Sequence, residues 1–248
     1  MVKGLDTFRR YFEGYTNQYV LIGGVACDIV FESNETFFRA TRDLDMVLIV
    51  EVLTPEFGEK FWEFIQNGSY RNKATNGEKP QFYRFDKPEN DSYPKMIELF
   101  CRSDFALREM TGITPIHIDD AVSSLSAILL NDDYYKALLD GKVVTNGLSV
   151  LRPEYLILFK AKAYLDLKQR KENGETIDSN DIKKHKKDVL RIAAELMLED
   201  TKKLPASVKA DIDTFIASLE KAPFDDNSLK NYGLKNEEVI EVLKRVFV

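Results

Sequence analysis

The run "DMVLIVEV" at residues 45–52 limits the fold more than any other stretch of this chain. It is continuous, apolar and β-branched, the pattern of a strand covered on both faces rather than one with a solvated side. The sheet that holds it therefore needs helices to cover it. Candidates precede it. "QYVLIG" reads as a short buried strand ending at Gly23 and Gly24, and the apolar residues from Val25 to Phe31 suit a helix. Upstream, Phe8, Tyr11, Phe12 and Tyr15 recur at i, i+3, i+4 and i+7, which predicts an amphipathic helix. The opening order is helix, strand, glycine turn, helix, strand.

Beyond Pro55, "EFGEKFWEFIQ" has helical spacing and "SYRNKATNGEK" reads as a polar loop. "QFYRF" and "PKMIELFC" are strand candidates on either side of the turn-forming "DKPENDSYP". Asn146 and Gly147 in "KVVTNGLSVL" predict a tight hairpin. From Pro153, which suits the first turn of a helix, nearly every segment has helical periodicity. The expectation is an α+β chain. A mixed β-sheet flanked by helices occupies residues 1–150, and a helical C-terminal half occupies 151–248.

No stretch approaches about eighteen apolar residues, and "MVKGLDTFRRYFEGY" has no apolar signal core, so a cytoplasmic protein without a membrane span is expected. Cys27 and Cys101 lie in apolar runs away from other metal-ligand residues, which predicts buried free thiols. His117 and His185 are isolated and carry no site. The net charge of −6 argues against a surface broadly coated for nucleic acid. The Lys-rich stretch 160–191 is the local exception, readable as a solvated helix face or as a small phosphate-binding patch.

Asp43 and Asp45 flank Leu44 at the mouth of the buried strand, and alternation puts both acids on one face. Carboxylates that close repel unless a cation sits between them. Mg²⁺ takes hard oxygen ligands, commonly one or two carboxylates with waters and substrate phosphates, so the pair reads as a metal site for Mg²⁺ or Mn²⁺. Two-metal phosphoryl transfer needs a further carboxylate. Glu98, between Met96 and Phe100 on one face of its strand, is the expected third ligand and base, whereas Asp86, Asp91 and Asp104 lie in or beside turns. A strand ending in Gly-Gly and feeding a helix offers backbone N–H groups to a triphosphate. Neither a GxGxxG nor a Walker lysine follows it, which excludes the dinucleotide and P-loop readings.

Together, "LIGGVACDIV" and "TRDLDMVLIV" resemble the DNA polymerase β-type nucleotidyltransferase superfamily. Within it, the chain looks most like the AbiEii-like group of type IV and MenT-type toxins, over roughly residues 15–195. The motif positions are Gly23, Gly24 and Ala26, then Thr41, Arg42, Asp43 and Asp45, then Glu98, then Leu156 with Lys160, and last Lys187 with Asp188. Two positions depart from the pattern: Val25 stands where many relatives have Ser or Thr, and Arg191 where they often have a second Asp.

The resemblance implies a nucleotidyltransferase-type fold and a metal-dependent enzyme that moves a nucleoside monophosphate from an NTP to an acceptor hydroxyl, releasing pyrophosphate. Asp43, Asp45 and Glu98 would be catalytic and metal-binding. Gly23, Gly24, Thr41, Arg42, Lys160, Lys187 and Asp188 would contact nucleotide. The implied acceptor is a tRNA end, a protein or a small molecule, and an antitoxin protein is an implied partner. The competing expectation is a non-catalytic module that binds nucleotide or protein on the same fold.

Overall fold

The structure, a computed structural model, describes residues 2–39, 41–72, 84–101, 131–199 and 203–247. Their elements fall into two compact units. The first holds α1 (Leu5–Tyr11), β1 (Tyr19–Ile22), α2 (Gly23–Ser33), β2 (Asp43–Leu48), α3 (Pro55–Asn67), β3 (Arg71–Asn72), β4 (Arg84–Asp86) and β5 (Met96–Cys101). A hairpin, β6 (Lys142–Thr145) and β7 (Leu148–Leu151), completes it.

The described strands form one sheet in the order β3-β4-β5-β2-β1-β7-β6. β2 runs parallel to β5 and β1 parallel to β7, while the remaining neighbours are antiparallel. The sheet is therefore mixed. β1 is buried at all four positions, as expected for a strand covered on both sides. Asn146 and Gly147 take φ of 51° and 75°, the paired positive angles that the Asn-Gly signal predicts for a two-residue hairpin.

Register assigns the two faces of the sheet. Tyr19 pairs with Leu48 and Leu21 with Met46, so these side chains share one face with Leu44. α1 and α3 cover it. Thr54 caps α3 by accepting from the Phe57 N–H, and Pro55 occupies its first turn. The stripe Phe57, Phe61, Phe64 and Ile65 then turns inward. Phe8 meets Tyr19 edge-on at 5.6 Å, and Phe61 meets Phe85 of β4 at 5.5 Å between ring centroids. Fully burying each such ring is worth about 1.5–3 kcal/mol. α2, buried from Gly24 to Phe31, packs on β1 and β2.

Three boundaries differ from the sequence expectation. β2 begins at Asp43 and stops at Leu48: Ile49 still donates to the Gln18 carbonyl, the next pair in register, and a turn closed by Val52 N–H on the Ile49 carbonyl follows. Arg71 and Asn72, expected in a loop, pair with β4, and the rest of that loop lies outside the described residues. α1 ends at Tyr11, yet Tyr15 still packs its ring on Phe57 at 5.7 Å.

The second unit is helical: α4 (Asp132–Gly141), α5 (Pro153–Glu172), α6 (Ser179–Glu195), α7 (Ala206–Lys221), α8 (Asp226–Tyr232) and α9 (Asn236–Val246). A single cut near residue 151 does not describe the division, since α4 groups with the later helices while the hairpin after it belongs to the sheet. The cause is side-chain packing. Tyr134 of α4 meets Phe159 of α5 edge-on at 5.6 Å, and Asp133 accepts from the Ser207 hydroxyl at 2.7 Å. Asp178 and Asp225 cap α6 and α8 by accepting from Asn180 N–H and Ser228 N–H. Among the described residues no helix is long and apolar enough to cross a membrane.

Candidate functional site

The acids of β2 lie on the sheet face opposite the aromatic layer of α1 and α3. Asp45 pairs with Ile22, the last residue of β1, and the next residue, Gly23, begins α2. Gly23 has a φ of 66°, and a Cβ added there would stand 2.1 Å from Asp45 Oδ2. Only glycine satisfies both conditions. Gly24 is also tight, its added Cβ meeting Thr41 Oγ1 at 2.6 Å. Gly23, Gly24, Thr41 and Asp45 are thus one constellation, in which the glycines let an acid and a hydroxyl approach the opening of a helix. The N-cap residue, Ile22, offers no side-chain hydrogen bond to the first turn of α2. The N–H groups of that turn and the helix dipole favour an anion.

β5 brings in the third acid. Its parallel register sets Glu98 directly across from Asp45 and Met96 across from Asp43, so Asp43, Asp45 and Glu98 share one face. All three are half-buried, while Val47 and Phe100 farther along the same face are buried. The acids therefore occupy the rim of the covered face. Arg42 is exposed beside them.

One partner was not anticipated from sequence. Arg84 of β4 pairs in register with Glu98, and its Nε donates to Glu98 Oε1 at 2.5 Å while Nη2 bridges to the same oxygen. The Arg84 side chain is 38% exposed and that of Glu98 16%. The ion pair thus sits mostly inside the rim. The signal for it was an arginine between Tyr83 and Phe85 in a strand next to an acid-bearing strand.

Asp43 and Asp45 provide hard carboxylate oxygens from one strand face, at a depth a solvated cation can reach, which suits Mg²⁺ or Mn²⁺. The expected three-acid cluster is not assembled. Among the described residues no three His, Cys, Asp or Glu side chains form a group that could hold a metal ion. The Glu98 carboxylate is engaged by the Arg84 guanidinium.

The remaining expected site residues belong to the helical unit. Lys160 of α5 is only 6% exposed and donates to Asp188 of α6, 3% exposed, at 2.8 Å. The solvated-face reading of the Lys-rich stretch therefore fails at Lys160. Lys187, adjacent to Asp188 in sequence, points elsewhere: its side chain is exposed and lies 3.6 Å from Asp225. Arg191 bonds Glu195 at 2.9 Å, one turn on. Cys27 is buried, whereas the Cys101 side chain, Asp104 and His117 lie outside the described residues.

No protein-family model, no curated protein and no solved structure matches this chain.

Proposed function

We propose that the chain is a metal-dependent nucleotidyltransferase, with the nucleotidyltransferase-type fold its sequence resembles. The observation that supports this most is the juxtaposition of Asp43 and Asp45 on one strand face with the Gly23-Gly24 opening of α2, Asp45 lying against Gly23 itself.

In this reading Asp43 and Asp45 hold Mg²⁺ or Mn²⁺, which when bound neutralises triphosphate charge and lowers the pKa of an attacking hydroxyl. Gly23 and Gly24 admit phosphate oxygens to the N–H groups of α2. Arg42 and Thr41 flank them with a positive charge and a hydroxyl. In the transfer, a bond forms between the acceptor oxygen and the α-phosphorus, the α–β phosphoanhydride bond breaks, and pyrophosphate leaves. Glu98 contributes a carboxylate whose charge Arg84 compensates. Lys160 and Asp188 are committed to each other, so their part in this reading is to fix α5 against α6.

The acceptor hydroxyl belongs to a tRNA end, a protein or a small molecule, and a toxin paired with an antitoxin is one biological setting for such an enzyme. The second reading, a nucleotide-binding module without turnover, draws on the engagement of Glu98 by Arg84. Incubation with NTPs labelled at the α- or the γ-phosphorus, Mg²⁺ and candidate acceptors separates the two. Transfer predicts label on the acceptor from the α-position only, with pyrophosphate released. Retention of intact NTP with every acceptor supports the module, and label from the γ-position overturns nucleotidyl transfer.

A further inference from the structure

We infer that the cleft between α6 and the turn joining α7 to α8 binds the phosphate group of a small phosphorylated ligand. It stands apart from the function proposed above, since every residue it uses lies in the helical unit. Lys183, Lys186 and Lys187 recur at i, i+3 and i+4 and so share one side of α6. They line a cavity of about 350 Å³, bounded on its other side by Pro223, Phe224 and Asp225. That volume is at the lower end of the roughly 300–1,000 Å³ typical of small-molecule pockets.

The charges on this lining are unequal. Lys186 is the fixed one: its Nζ donates to the carbonyls of Ala222 and Pro223, the latter at 2.9 Å, and lies 5.2 Å over the Phe224 ring. Burial, with repulsion from Lys168, pushes its ammonium below the ordinary lysine range, while Asp225 pulls the other way. Lys183 is exposed and forms no ion pair among the described residues. Lys187 stands 3.6 Å from Asp225, beyond hydrogen-bond reach. Both Asp225 oxygens already accept from Ser228, one from its N–H and one from its hydroxyl. Three ammonium groups thus line the cleft with one carboxylate that is committed to capping α8, a local positive excess in a chain of net charge −6. An anion offsets that excess. Phosphate suits it, because its several oxygens accept from separate ammonium groups, each of which acts as a point charge. Nucleic acid carries the same group, but a cleft of this size on an acidic chain lacks the extended positive surface that a strand's backbone needs.

The test is calorimetric titration of pyrophosphate, and separately of a single-stranded oligonucleotide, into the full chain with divalent ions chelated. The native protein is compared with Lys183→Gln/Lys187→Gln, with Asp225→Asn, and with Lys136→Gln/Lys203→Gln, which removes the same charge from exposed positions outside the cleft. Circular dichroism confirms that each is folded. Asparagine caps a helix about as well as aspartate, so Asp225→Asn keeps α8. Pyrophosphate should bind the native protein, about tenfold more weakly without Lys183 and Lys187, and about threefold more tightly in Asp225→Asn. The charge-matched control should bind as the native protein does. An equal loss in that control, no gain in Asp225→Asn, or no pyrophosphate binding at all overturns the site. Tighter binding of the oligonucleotide, lost with the same two lysines, overturns the small ligand and makes the cleft a nucleic-acid contact.

Discussion

At Gly23, a positive φ and a neighbouring carboxylate meet at one Cα. The backbone angle of 66° disfavours an L side chain, and the 2.1 Å approach of Asp45 Oδ2 to the position of an added Cβ leaves no room for a methyl group. Gly23→Ala should therefore cost about 1–3 kcal/mol of stability. It should also turn Asp45 away, weakening Mg²⁺-NTP binding by about tenfold or more, since a contact to a charged group is worth roughly 1.5–3 kcal/mol. Chemical denaturation with calorimetric titration measures both, and unchanged nucleotide affinity in a destabilised variant would separate Gly23 from the site. The glycine pair and the aspartates were legible in sequence because their signal is local: a turn at fixed distance and alternation along one strand. Arg84 was not. Its partner lies fourteen residues away on another strand, and only register decides that the two face each other.

Between helices, the buried pair of Lys160 and Asp188 is the clearest test of how α5 and α6 are held. Deleting one charge strands the other in the interior, whereas replacing both with apolar groups of similar size removes the desolvation cost together with the attraction. Lys160→Met should destabilise the protein by about 3–5 kcal/mol, and Lys160→Met/Asp188→Leu by clearly less. Urea unfolding of the two variants checks this, and equal losses would assign the effect to packing rather than charge. Among the elements of the described residues, the sequence reading missed β3, a two-residue strand formed by its partner, and the helix α4, over which no element was expected. Periodicity did not mark where β2 stops, which a turn from Ile49 to Val52 decides, or that α4 joins the helical unit, which depends on its partners Phe159 and Ser207.

Across the whole molecule, buried phenols give both units a common sensitivity to base. Burial pushes the Tyr19 hydroxyl up to about 12, and raises those of Tyr70 in the sheet unit and Tyr134 in the helical unit further, the Asp211 carboxylate adding to the effect at Tyr134. In the unfolded chain each ionises near its ordinary value of 10.0. The folded state holds these protons more tightly, so their contribution to stability is complete below that value. It is lost as pH rises toward the folded values. Phenolate absorbance from these tyrosines should then appear together with loss of helical circular dichroism. A smooth titration near pH 10 with the helices intact would show that they are solvated.

Asp43 and Asp45, set against the Gly23-Gly24 opening of α2, are proposed to form a divalent-metal-dependent triphosphate site. Calorimetric titration of each NTP with Mg²⁺ into the native protein and into Asp43→Asn/Asp45→Asn tests it most directly. Saturable binding is predicted for the native protein, lost when Mg²⁺ is chelated and lost in the variant. Absence of NTP binding to the native protein, or equal binding by the variant, would contradict it.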